Sequence, residues 1–290
     1  MKSLICFFLC FSWVMPVMAQ EVRGGQGGRI ISLGPTITEN IYLLGAEERL
    51  VANTVYCVRP AAALFKEKIG SVMQVNIEKI VSLRPDLILA TGLTQPQQID
   101  KLRDLGFKVV RFGQPSSFGE ICTQFVELGH VLGMEAQALQ IVAAAKIRVA
   151  STQRQVAHLL PQKVFLQVGT QPLFSAVDSS FTHDFIELGG GLNIARGQRR
   201  GIIKYEKVIA ENPAVIIIAI MGSESGIGAR ERQRWLDTRV GDAARDRRVH
   251  VMDPDVVCSP SPATFAVTLE VMARLIHPEM AGGAGQEVLP

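Results

Sequence analysis

The segment from Met134 to Leu160 contains neither glycine nor proline, and its apolar residues recur at helical spacing. One helix over 134–160 is predicted, longer than an ordinary domain helix. On both sides of it the chain alternates short apolar runs with helical stretches. Before it come strands over Arg29–Leu33, Leu50–Ala52, Asp86–Ala90 and Lys108–Arg111, separated by helices over Thr38–Leu44, Ile77–Leu83 and Gln97–Leu105; a further helix covers Phe118–Leu132. After Pro161 the alternation restarts, with a strand over Lys163–Val168 and a helix over Thr182–Leu188. Apolar strands bounded by helical patterns are the mark of a buried, mainly parallel sheet with crossover helices. The chain therefore reads as α/β: two Rossmann-like lobes, 29–133 and 161–279, joined by a single long helix, with a ligand cleft between them.

The two halves also echo each other. Asn76 to Leu89 aligns without gaps against Lys204 to Ile217, and Glu-Lys, a proline and an isoleucine recur at one offset. Both copies read as an acidic-started helix, a proline stop and a buried strand, since proline disfavours helix at the residue before it. Such punctuation is common in α/β proteins, but the matched Glu78-Lys79 and Glu206-Lys207 favour two related lobes.

The ends are different in kind. Residues 1–19 carry Lys2, an apolar run over Leu4–Val14 and small residues before Gln20, the pattern of an export signal. The apolar run is short for a membrane span. Residues 20–28 are Gly-rich and polar and read as a tether, and 280–290 lack a periodic pattern and read as a tail. The remaining cysteines, Cys57, Cys122 and Cys258, are odd in number, which excludes a disulfide scaffold. A net charge of +3 is too small to indicate a nucleic-acid partner, and Arg230–Arg248, interleaved with acidic residues, reads as a solvated helical face.

The five histidines are isolated, with no zinc-ligand spacing. Gly222–Gly226 has glutamate where a nucleophile elbow needs serine, and Gly189–Gly191 follows a helix rather than a strand. The expectation is a binding protein rather than an enzyme, with no metal and no cofactor of its own. In open α/β sheets ligands sit beyond the strand C-termini, so the cleft loops are 34–36, 54–60, 91–95, 113–116, 169–174, 199–202, 222–228 and 253–262.

The motifs Arg29–Glu39, Tyr56–Pro60, Asn76–Leu89 and Val164–Gly169 together resemble the periplasmic binding proteins for cobalamin, iron-siderophore and haem that serve ABC importers. The resemblance covers 29 to about 278. It implies a monomeric protein that captures a corrinoid, or alternatively an iron chelate or haem, and hands it to membrane permease subunits. It also implies that one exposed glutamate per lobe, Glu78 and Glu206, docks to arginines of the permease. The plain alternative is that each carboxylate favours the positive end of its helix.

Tyr56 and Phe174 match cleft aromatics of the cobalamin-binding members, and flat aromatic walls suit a large planar ligand. Thr36, Thr91, Gln171, Asp255 and Ser259 are hydrogen-bonding candidates. The cleft tryptophans of those members are missing near Val72, Ala90 and Arg200, and Arg200 instead offers a cation to an anionic group. Cys57 and Cys258 are placed in facing loops of opposite lobes, either as unrelated thiols or as a cross-lobe disulfide or soft-metal pair.

Overall fold

The computed structural model describes residues 28–198, 200–221 and 226–283. The predicted export signal, most of the predicted tether, the end of the predicted tail, Arg199 and residues 222–225 lie outside them.

The N-terminal lobe runs β1 (Ile30–Ser32), α1 (Pro35–Leu43), β2 (Leu50–Asn53), β3 (Glu67–Lys68), α2 (Ile77–Leu83), β4 (Leu87–Ala90), α3 (Pro96–Asp104), β5 (Val109–Arg111) and α4 (Phe118–Leu132). Its five strands are all parallel in the order β3-β2-β1-β4-β5. The chain then crosses once, through α5 (Glu135–Val156).

The C-terminal lobe runs β6 (Gln162–Thr170), β7 (Leu173–Ser175), α6 (Phe181–Leu188), β8 (Gly191–Asn193), α7 (Tyr205–Glu211), β9 (Val215–Ile218), α8 (Ile227–Thr238), α9 (Asp242–Arg245), β10 (Val249–Val251), α10 (Pro254–Cys258) and α11 (Pro262–Ile276). β6 is its centre, parallel to β9 and β8 and antiparallel to β7.

The duplicated unit is real in three dimensions. α2 and α7 end on Arg84 and Asn212, which occupy the left-handed region at φ 48° and 49°, and each leads through its proline stop into a fully buried strand. The cap at the start differs: Asn76 accepts from the Lys79 amide, whereas Lys204 supplies no side-chain cap.

Strand alternation divides the apolar residues between three clusters. Ile31 and Ile88 face an outer core of the first lobe, and Phe165 and Ile216 face an outer core of the second. Ile30, Leu89, Val164 and Val215 all face one central core, which also takes Phe125 of α4, Val142 of α5 and Leu269 of α11. The lobes thus share a hydrophobic core in addition to their covalent helix. Phe265 of α11 is stacked between Phe118 of the first lobe, at 4.6 Å, and Phe185 of the second, at 4.1 Å. Asp184 of α6 accepts from the Phe118 amide at 2.7 Å, capping α4 from the opposite lobe; burial raises its pKa.

The Arg-rich stretch corrects one expectation. It takes in most of α8 and all of α9, and it is not wholly solvated. Trp235 is buried and donates to Gln167 at 2.8 Å, while buried Glu231 accepts from Gln167, Tyr205 and Arg234. Among the described residues no helix is long and apolar enough to cross a membrane.

Candidate functional site

β1 lies between β2 and β4, so successive connections leave in opposite directions and a crevice opens beyond its C-terminal end. The Gly34-Pro35 turn starts α1 there. An open pocket occupies this crevice, with about 590 Å³ of non-atom space when the adjoining open solvent is included. It is walled by α1, by the segments after β4 and β5, by one face of α4, by Phe181 and by Cys258–Pro260. Both lobes therefore contribute.

Thr36, Thr91 and Ser259 line this pocket, and Cys258 joins them. Asn40, Gln114 and Gln124 complete its polar lining, and Ile37, Phe112, Ile121 and Leu128 supply apolar walls. No residue in the lining carries a charge. Gln114 falls inside a predicted cleft loop, but Asn40 and Gln124 do not. Asn40 nevertheless left a trace: it stands three residues after Ile37 and four before Leu44, a core position of α1 filled by a carboxamide.

Tyr56, Gln171, Phe174, Arg200 and Asp255 do not line the pocket. Tyr56 is 52 % exposed on the loop after β2. Phe174 bridges to Ile202, and its ring lies against Gly201, where an added Cβ would come within 2.3 Å of it. Gln171 and Arg200 are exposed on loops of the second lobe, and Phe174 is exposed on β7. Asp255, whose pKa burial raises, sits at the first turn of α10. Val72 and Ala90, near the expected positions of cleft tryptophans, are small buried residues.

The thiol pair needs correction. Cys57 is fully buried within the first lobe, 3.2 Å from the hydroxyls of Thr38 and Thr54. Cys258 donates to the Ala219 carbonyl at 3.5 Å, and burial, with Asp255 and Asp253 nearby, pushes its thiol up to about 12. Both are free. A cysteine turned into its own lobe cannot bridge the cleft, and a neutral thiol is a poor soft-metal ligand. No metal-holding cluster occurs among the described residues.

Glu78 and Glu206 stand in the first turns of α2 and α7, both exposed and both free of any hydrogen bond or ion pair.

Comparison with known proteins decides the family. Residues 30–256 match the model of the periplasmic binding protein family. The chain belongs to it. The vitamin B12-binding proteins of Yersinia pseudotuberculosis serotype O:3 (strain YPIII) and Yersinia pestis (strain Pestoides F) are each 32% identical over 202 residues, 69% of this chain and 71% of theirs. Among solved structures, the periplasmic vitamin B12 binding protein BtuF of Vibrio cholerae superimposes with a TM-score of 0.71 at 27% identity, covering 86% of this chain and 97% of that one. A periplasmic haem-binding protein from Pseudomonas aeruginosa reaches 0.79 at 22% identity, over 87% and 93%; that likeness is one of fold. The two-lobed fold read from the sequence is the fold of this family.

Proposed function

We propose that this protein is the substrate-binding component of an ABC importer, that residues 1–19 export it to the periplasm, and that it captures cobalamin or a related corrinoid for delivery to the membrane permease. The observation that carries the ligand is the character of the pocket. It offers carboxamides and hydroxyls over apolar walls and no charge, which suits a large neutral ligand and penalises a carboxylate, since an unpaired charge is expensive to desolvate. Kinship with vitamin B12-binding relatives points the same way.

A haem or ferric-siderophore ligand is the second reading. It draws on Tyr56 and Arg200, which are exposed and lie outside the pocket.

Delivery is assigned to Glu78 and Glu206. Two carboxylates in equivalent places, with no intramolecular partner, are available to cations on a docked permease, and complementary charge sets register and speeds encounter. The test of the ligand class is a titration of the purified protein with cyanocobalamin, dicyanocobinamide, haem and a ferric siderophore. Saturable binding of both corrinoids supports the reading; binding of haem or siderophore alone would replace it with the second.

A further inference from the structure

Five side chains around the pocket have uncommitted polar groups. Thr36, Asn40, Gln114, Gln124 and Ser259 make no side-chain hydrogen bond within the protein, although all five line one space. For four of them partial exposure makes this unremarkable. Asn40 is different: it is only 7 % exposed, and its Oδ1 is buried with no partner.

A buried carboxamide without a partner costs free energy on folding, and the cost is recovered only by a group that enters the pocket and bonds to it. Turning the amide over exchanges Oδ1 for Nδ2 and leaves the same need. Asn40 cannot turn away, because α1 fixes it between Ile37 and Leu44, both buried in the central core.

From this we infer that Asn40 is a ligand-binding residue at the floor of the cleft, forming a subsite with Gln124 for an uncharged primary amide on the rim of the ligand. A primary amide presents a donor and an acceptor together, and can therefore pair with a carboxamide in both directions. A hydroxyl donates and accepts through a single oxygen and does not match both ends of a carboxamide at once, and a carboxylate would bring a charge into an uncharged wall. Corrinoids carry such amides around the macrocycle; haem carries carboxylates. The inference rests on the corrinoid reading above and adds to it which group of the ligand points down and which residue holds it.

The experiment is a two-by-two comparison. Dicyanocobinamide, with its peripheral amides, and dicyanocobyrinic acid heptamethyl ester, in which esters remove the N–H donors, are titrated against wild-type protein and Asn40→Leu. Wild type is expected to bind the amide form more tightly than the ester, and Asn40→Leu to shrink that ratio about tenfold, the effect of one hydrogen bond in a desolvated site. Asn40→Ser, smaller and still polar, is the second variant if the leucine does not fold, and it too should shrink the ratio. An unchanged ratio with both corrinoids still bound, as expected of a site that holds water only, would overturn the subsite and leave the corrinoid reading standing. Failure of wild type to bind either corrinoid would overturn both.

Discussion

The carboxylate of Glu39 on α1 lies 2.8 Å from the guanidinium of Arg59, and the same guanidinium donates across the lobe boundary to the carbonyls of Asp255, at 2.7 Å, and Ser259, at 3.0 Å. Glu39 crosses the boundary as well, accepting from Ser261 at 2.8 Å and from Thr264 at the start of α11. The two residues form a latch beside the pocket, because Ser259 and Pro260 are part of its wall. With Glu39 only 8 % exposed, removing its cation leaves a buried charge unpaired. Arg59→Ala is expected to destabilise the protein by about 3 kcal/mol. Urea unfolding checks the value. The transition should remain single, because the central core runs through both lobes; a separate early transition of one lobe would show that the shared core does not couple them.

A second expectation concerns pH. Burial, with Arg248 and Arg232 close by, lowers the pKa of His250 from its ordinary 6.5. The folded state therefore binds this proton less readily than the unfolded chain. Its contribution is fully present above the unfolded value and is lost as pH falls from there through the lowered folded value. In His250→Gln this part of the loss should vanish. Unfolding free energies of both proteins from pH 7.5 to 5 test it, and parallel curves would refute the assignment.

These interactions also mark how far the sequence could be read. α2 with β4, and α7 with β9, were legible because their signals are local: an acidic first turn, a proline stop and an apolar run. The left-handed residues Arg84 and Asn212 confirm that the echo is structural. β7 was not legible, since three residues pairing back on β6 leave no periodic pattern. Cys57 and Tyr56 are neighbours on one loop yet point to opposite environments, which loop composition does not encode. Glu39 and Ser261 are 222 positions apart, and nothing along the chain announces their bond. Asn40 was visible only as a polar residue on an apolar helix face, a pattern whose meaning depends on the opposite lobe.

Close packing at the mouth of the pocket gives a third expectation. A Cβ on Gly34 would fall 2.3 Å from the Thr91 Cγ2, too near for both to stay in place. Gly34→Ala should push Thr91 from the pocket wall, costing about 1–3 kcal/mol of stability and weakening ligand binding at the same time. Gly119 is the control: it does not line the pocket, and its added Cβ would meet only the Ser117 Oγ at an ordinary 3.6 Å, so Gly119→Ala should bind nearly as wild type does. Equal affinities for the two variants would show that the position of Thr91 does not matter to the ligand.

The docking assignment for Glu78 and Glu206 separates from ligand capture in the same way. Neither carboxylate holds any part of the fold, and neither lines the pocket. Reversing both, Glu78→Lys with Glu206→Lys, should leave corrinoid affinity unchanged and cost no more than about 1 kcal/mol of stability at each helix N-terminus. It should lower uptake of labelled cobalamin about tenfold or more in cells that carry the protein's own importer, because like charges then face each other at both contacts. Each single reversal should lower uptake less, since the contact on the other lobe remains. The defect should soften as ionic strength rises, given that exposed charges are screened over about a nanometre at 0.1 M salt. If the carboxylates served only their own helix N-termini, the reversed protein would melt earlier and uptake would follow the folded fraction; the ratio of uptake to folded protein distinguishes the two.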